Sequence, residues 1–325
     1  MSSPVQLIHP SSGRVLEAGA DVLRDDRGNK YDKINGVFRF VESSNYTENF
    51  GFQWNKFART QLDSAANVTQ SRNRFFAATA WESQDLHEAN ILEVGSGAGR
   101  FTQVVLEHTA ATLYSVDYSN AVEANFRNNG HHGERLRLFQ ASIYELPFAP
   151  GGFDKVFCFG VLQHTPDFEA SVKALIRQAK SGGEIVVDFY PIKGWWTKIN
   201  AKYLLRPLTK RLAHEKLLQL IETNVDWLIA THFFMHRFGL GMLTRFLPVC
   251  SVSASFPRTL SRTELREWTI LDTFDQYSPE HDHPQRIADV AKMFERNGAT
   301  VTFAGYQHYG EGMFAAVVRG VRNPQ

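Results

Sequence analysis

Cysteine is almost missing from this chain: Cys158 and Cys250 are the only two in 325 residues, and they stand far apart. That excludes a disulfide framework and a thiolate-rich zinc site, and it suits a reducing cytoplasm, the expected location. Charge of either sign is in balance, with a formal net charge of +1, so no chain-wide nucleic-acid footprint is expected. Long apolar runs are lacking as well. No stretch of about 18 uncharged apolar residues occurs, which argues against a membrane span. The opening residues, MSSPVQLIHPSSGR, lack a basic segment followed by an apolar one, so no secretory leader is expected. Repeats and low-complexity tracts are also missing. What the chain has in quantity is phenylalanine, 25 residues of it, within 13% aromatics. Such a supply serves either a large core or an aromatic-lined pocket for an organic ligand.

The middle of the chain alternates short apolar strands with amphipathic helices. NILEV at 90–94 runs into glycines, and RFTQVVLEHTA (100–110) then has helical spacing. TLYSVDYS (112–119) reads as a strand, followed by a helix from Ser119 to Gly130. LRLFQAS (136–142) and FDKVFCFGVLQH (153–164) are two more strands, the second continuously apolar as buried parallel strands are. A helix is expected over 168–183, closed by two glycines, then a strand over 184–190. From Pro191 to His283 the alternation stops, and helical apolar runs such as HEKLLQLIETNVDWLI and FGLGMLTRFL replace it. It resumes with a helix over 284–299, with Pro284 near its first turn and Gly298 at its end, and closes on two antiparallel strands. The expected fold is α/β: a doubly wound, Rossmann-like, mostly parallel seven-stranded sheet with a C-terminal antiparallel hairpin and a mainly helical insertion. Three parts follow. Residues 1–44 form a small β module, 45–190 with 284–325 form the core, and 191–283 form an insertion that caps a pocket.

EVGSGAGR places Glu93, Gly95, Ser96, Gly97 and Gly99 where a strand turns into a helix. Glycines there let a ligand approach the backbone and leave helix N–H groups free to bind it. Asp117 ends the next strand about 20 residues on, where a carboxylate can hold both hydroxyls of a ribose. The order G-x-G-x-G suits an adenosyl ligand without phosphates better than a dinucleotide, which disfavours a nicotinamide dehydrogenase. A tight turn without a ligand is the plain alternative.

With these motifs the chain resembles the class I S-adenosylmethionine-dependent methyltransferases, of the small-molecule and saccharide-cluster type. The resemblance rests on ILEVGSGAGRFT, YSVDYS, ASIYELPF and GGFDKVFCFGVLQHTPD, and spans about residues 88 to 190. It implies S-adenosylmethionine as cofactor and S-adenosylhomocysteine as product. Glu93 and the loop from Gly95 to Gly99 would lie against the methionine part, Asp117 on the ribose, and Tyr118 beside the adenine, with Ile143 and Phe159 also at the cofactor. Many relatives carry an acid after the third strand for the adenine amino group. Ser142 stands there in this chain, and a hydroxyl can still accept that hydrogen bond.

His164 follows the fourth strand, at the carboxyl end of the sheet where ligands bind. An imidazole there could take a proton from an acceptor hydroxyl, or only position its surroundings. Residues 1–42 resemble a ribbon module that in relatives has zinc-binding knuckles. Here His9 and Ser12 stand at those positions without cysteines, so a metal-free remnant is expected. Tyr46, Phe50, Trp54 and Phe57 recur at helical spacing. That helix either packs on the sheet edge or forms a lid, with Gln53, Trp54 or Arg59 near the cofactor.

Within the insertion, seven Lys and Arg between 193 and 216 are interleaved with Trp195, Trp196 and Tyr203. This is a solvated face, a clamp for a phosphate-bearing acceptor, or a peripheral membrane contact. His232 and His236 could share a helix face but lack a third ligand. Asp272, Asp275, Glu280, His281, Asp282 and His283 crowd the return to the core. No metal site is expected from them. Asp275 and His281 are candidates to contact the acceptor at the pocket mouth, and Asp282 or His283 is placed to cap the last helix. The expected activity is methyl transfer to a hydroxyl, or less favoured an amine, of a small molecule or saccharide. A non-catalytic scaffold with a vestigial cofactor fold is the alternative.

Overall fold

Four short strands open the chain: β1 (Glu17–Ala18), β2 (Val22–Arg24), β3 (Lys30–Ile34) and β4 (Val37–Arg39). Asn35 and Gly36, both at positive φ, join β3 to β4 in the two-residue turn that suits a twisted hairpin. A computed structural model describes residues 4–19, 21–41, 45–252, 256–257, 259–310 and 312–324. The core strands are β5 (Asn90–Val94), β6 (Thr112–Asp117), β7 (Leu136–Gln140), β8 (Phe153–Phe159) and β9 (Ala179–Phe189), all paired in parallel. Every residue of β5 is buried, as a strand covered on both faces must be. The hairpin of β10 (Ala299–Gly310) and β11 (Met313–Arg322) is antiparallel and joins β9 through β11.

The sheet runs β1-β2-β3-β4-β7-β6-β5-β8-β9-β11-β10. The last seven positions are the expected sheet. It has eleven strands because the N-terminal ribbon is fused to its edge. β4 lies parallel on β7, pairing Val37 with Leu138 and Phe38 with Phe139, whose rings stack at 5.8 Å. His9, expected at a remnant knuckle, accepts the Ser11 and Ser12 amides on Nδ1, both at 3.2 Å, inside a turn.

Ten α-helices are described: α1 (Glu48–Lys56), α2 (Asp63–Ala66), α3 (Gln70–Thr79), α4 (Arg100–His108), α5 (Val122–Asn129), α6 (Phe168–Gln178), α7 (Ala201–Thr209), α8 (His214–Arg237), α9 (Arg262–Tyr277) and α10 (Ile287–Arg296). Several boundaries differ from expectation. α6 stops at Gln178, and the Gly182–Gly183 stretch belongs to β9, because Ala179 already pairs with Phe153. α5 starts at Val122, since the Ser119 hydroxyl donates to Asp117 Oδ1 at 2.6 Å. Residues 241–246 form a 3₁₀ turn instead of continuing a helix.

The insertion is helical. Leu217, Leu218, Ile221 and Val225 of α8 pack on Ile270, Leu271 and Phe274 of α9, and on Phe57 after α1. α9 opens on a capping box in which Ser261 and Glu264 bond each other's amides. Asp282 does not cap α10, which starts after Arg286. Its carboxylate is buried and paired with Lys202 at 2.7 Å and Arg206 at 2.8 Å, which ties α7 to the return segment. His283 is no cap either, since its amide donates to the Gln163 carbonyl at 2.7 Å. Residues 284–286 bridge to Pro191, which pushes the helix start back to Ile287.

Candidate active site

A cavity of about 540 Å³ opens at the carboxyl ends of the parallel strands, within the usual size of organic-ligand pockets, roughly 300 to 1,000 Å³. Val94, Asp117, Phe159 and Asp188 contribute the strand ends. Two helices contribute one face each. Phe50, Gln53, Trp54 and Phe57 from α1 and its C-terminus fall at i, i+3, i+4 and i+7. Trp268, Asp272, Asp275 and Gln276 from α9 fall at i, i+4, i+7 and i+8. The α1 segment is therefore placed over the glycine loop as a lid, with Gln53 and Trp54 on the cavity and Arg59 exposed away from it.

Gly97 has φ 54°, and a Cβ there would come within 3.2 Å of the Trp54 indole nitrogen, so the loop has room for backbone only. Its N–H donates to Asp117 Oδ2 at 2.8 Å, and Ser119 bonds the other oxygen of that carboxylate. Burial raises the Asp117 pKa, opposed by these hydrogen bonds. Gly95, Ser96, Gly97, Tyr118, Ile143 and Phe159 line the cavity as expected positions. The Ser96 hydroxyl and both amide atoms of Gln53 are buried there with no partner among the described residues. Buried polar atoms normally have partners, so these three fit a polar ligand held at the loop.

Four expected site residues are elsewhere. Glu93 lies behind the loop, buried, accepting the Thr102 and Ser115 hydroxyls, and burial pushes its carboxyl up to about 7. Gly99 sits at the start of α4 with φ 87°, where a Cβ would meet Asn125 Oδ1 at 2.3 Å; it shapes the loop from below. Ser142 is half-buried off the cavity, and its hydroxyl accepts the Tyr144 amide at 3.3 Å, a local turn bond. The His281 ring stacks on His283 and meets the edge of Tyr46, so its imidazole does not line the cavity.

The backbone of His281 matters instead. Its carbonyl is 3.1 Å from His164 Nδ1. A carbonyl only accepts, so in the neutral ring the proton sits on Nδ1 and the lone pair on Nε2. Nε2 is buried with no partner among the described residues, and His164 lines the cavity. Burial lowers the His164 pKa, partly offset by Asp275 and Asp282. The ring is held by Phe50 at 5.2 Å and by Tyr190 at 5.6 Å edge-on. Tyr190 in turn donates to Asp275 Oδ2 at 3.0 Å.

Sequence reasoning missed Arg74, Arg100 and Asp188, which line the cavity with Asp272. Arg74 of α3 pairs with Asp188 of β9 through Nε at 2.9 Å and Nη2 at 2.6 Å, and the Gly160 amide donates to the other oxygen at 2.6 Å. Among the described residues Arg100 donates to neutral partners, Gln61 at 2.7 Å and Ser71 at 3.1 Å, and burial and Arg74 push its pKa down to about 10. Asp272 accepts Gln61 at 3.0 Å, and burial and then Asp275 push it up to about 7. One signal was readable: Asp188 is the single acid inside the apolar run IVVDFY. Such a residue in a buried strand requires a cation or several donors. Among the described residues, no three His, Cys, Asp or Glu side chains gather into a metal site.

Residues 92–187 match the family model described as methyltransferase domain. A tRNA U34 carboxymethyltransferase of Nautilia profundicola is 27% identical over 133 residues, 38% of this chain and 44% of that one. A ubiquinone biosynthesis O-methyltransferase of Sodalis glossinidius is 32% identical over 130 residues, 38% of this chain and 51% of that one. The matches thus span about half or less of these relatives' lengths. A chain from a complex that contains the Haloferax volcanii Trm112 methyltransferase activator shares the fold, with TM-score 0.50 at 10% identity, over 85% of this chain and 98% of that one.

Proposed function

We propose that this chain, whose residues 92–187 match a methyltransferase domain, is a class I S-adenosylmethionine-dependent methyltransferase that methylates a hydroxyl of a small molecule or saccharide. The observation that carries the choice of a hydroxyl is His164: a neutral imidazole with its Nδ1 proton fixed on the His281 carbonyl and a free, cavity-facing Nε2. Bound S-adenosylmethionine supplies a methyl group activated by its sulfonium. Asp117 would accept the ribose hydroxyls at the end of β6, and Ser96 and Gln53, without partners among the described residues, would bond the polar end of the same ligand. Trp54 closes over the loop and excludes water. His164 Nε2 is placed to take the proton that the acceptor hydroxyl gives up.

Asp272, Asp275 and Gln276 on one face of α9 present acceptors and donors to a polyhydroxyl acceptor, with Asp275 also fixing Tyr190 against His164. A nucleic-acid acceptor is not proposed. The match to the tRNA-modifying relative covers 38% of this chain and 44% of that one, and the net charge is +1. The two buried free thiols suit a cytoplasmic setting.

The test is transfer of a labelled methyl group from S-adenosylmethionine into a metabolite extract, with the product identified by mass spectrometry. His164→Ala should lower kcat by about 10²- to 10⁴-fold while donor affinity stays unchanged. Because burial lowers the His164 pKa, the acid limb of kcat/KM should fall below the ordinary imidazole value of about 6.5. His281→Ala retains the carbonyl and should retain turnover. Full activity of His164→Ala would end the base assignment. Donor binding without any methylated product would favour a scaffold.

A further inference from the structure

We propose that the outer face of the insertion, from Trp195 to Phe246, docks onto an anionic lipid bilayer. Of the 21 large apolar side chains left exposed among the described residues, 15 lie in this stretch. Monomeric surfaces rarely gather apolar groups this way without a partner. Helix α7 shows the pattern best, because it is inside out for a helix in water. Lys202 and Arg206 are turned inward onto Asp282, while Leu204 and Leu208 are each 66% exposed. Burying two cations costs desolvation that an outward Lys would avoid. Pairing with Asp282 offsets that cost for the cations, and an apolar phase would do the same for the outward leucines.

The rest of the face continues this surface. Trp195 is 80% exposed and Met242 86% exposed. They belong to one assembly. Arg245 of the 241–246 turn donates to the Trp196 carbonyl at 2.8 Å, the Leu240 amide donates to the Met235 carbonyl, and the exposed Phe234 and Phe238 rings meet at 4.6 Å, tilted by 45°. Tryptophans beside Lys and Arg, with aliphatic and Phe side chains between them, form the composition of an interfacial surface.

Charge selects the occupant. Between 193 and 247 there are nine Lys and Arg against three acids, in a chain whose net charge is +1. Glu222 and Asp226 are already paired, with Lys56 and Arg266. Lys198, Lys210, Arg211, Lys216 and Arg237 are exposed, and no ion pair among the described residues neutralises them. A second copy of this chain, meeting the same patch about a two-fold axis, would set cations against cations. An anionic headgroup layer would neutralise them. No helix among the described residues is long and apolar enough to cross a membrane, so the contact is peripheral.

The test is flotation of the full chain with vesicles of phosphatidylcholine, alone or mixed with phosphatidylglycerol. Binding is expected to the anionic vesicles, weakening as salt rises. Phe234→Glu with Met242→Glu should abolish flotation while melting temperature and S-adenosylmethionine binding stay unchanged. Lys198→Glu with Arg211→Glu should weaken partitioning by about fivefold per cation removed, which tests the charge term separately. Failure of the unaltered chain to float with anionic vesicles would overturn the proposal. So would light scattering that shows a dimer broken by Met242→Glu, since a second copy would then cover the face.

Discussion

Two walls face each other across the cavity. The first is built from β5, β6 and the glycine loop, and what it offers is backbone amide, a short hydroxyl and Asp117. Its contacts close within a short reach of chain, Gly97 to Asp117 being 20 residues. The second wall is built from α3, β9 with the residue after it, and α9, and offers Arg74, Asp188, Tyr190, Asp272 and Asp275. Its contacts close over long reaches: 114 residues for Arg74 to Asp188 and 211 for Gln61 to Asp272. A wall made of backbone cannot change its ligand without changing the fold. A wall made of long side chains from separate elements can be rebuilt by single substitutions. Wall one therefore suits the invariant donor, and wall two the acceptor that distinguishes one such enzyme from another.

The largest expected effect comes from breaking wall two at its deepest point. Asp188→Ala strands the Arg74 guanidinium and the Gly160 amide in a site where the aspartate side chain was 1% exposed. Removing one partner of a buried pair costs about 3 to 5 kcal/mol, to be read as a fall in the urea midpoint. Arg74→Met together with Asp188→Leu should lose much less, because neither charge is then left alone. If the single and the double variants are equally damaged, the pair is not what holds this wall.

The same contrast explains what was legible in the sequence. β5, the loop, α4 and β6 could be read because their geometry depends on residues next to one another: an apolar run, glycines at a turn and an acid at a strand end. The end of α6 was misread because Lys180 to Gly183 looks like a helix terminus, yet a tertiary contact, the pairing on β8, decides it. α3 received no assignment, since QSRNRFFAAT shows little apolar periodicity, and so Arg74 went unseen. Asp275 was found from the density of carboxylates, and it lies on α9. His281 was found for the wrong atom: the imidazole drew attention, and the carbonyl makes the contact. Ser142 was placed by analogy with an acid in relatives, and the local bond to Tyr144 took its hydroxyl instead.

A smaller effect tests how wall one is supported from behind. Glu93 has its folded-state pKa raised to about 7 from an ordinary 4.5 by burial. A carboxyl with a raised folded pKa favours the folded state at low pH, where it is protonated in both states. That advantage is lost as pH rises through the folded value. Melting temperature should therefore decline between about pH 5 and pH 8. Glu93→Gln, which keeps an acceptor for Thr102 and Ser115, should flatten part of that decline. Asp272, also raised to about 7, should account for a further part on the opposite wall. An unchanged slope in Glu93→Gln would mean that Glu93 is not protonated in the fold.

The smallest effect sets two serines against each other. Ser96 is on the cavity with an unpartnered hydroxyl; Ser142 is off it with a partnered one. If wall one binds the donor through the loop, Ser96→Ala should weaken S-adenosylmethionine binding by about fivefold, the worth of one neutral hydrogen bond of about 1 kcal/mol. It should cost no stability without ligand, because that hydroxyl bonds no described residue. Ser142→Ala should leave the affinity within about twofold, since removing it frees only the Tyr144 amide, which water can reach at an exposed residue. Titration calorimetry on both variants gives the comparison directly. The reverse ranking would place the adenine beside Ser142, and would mean that wall one holds its ligand further along β7 than the cavity lining indicates.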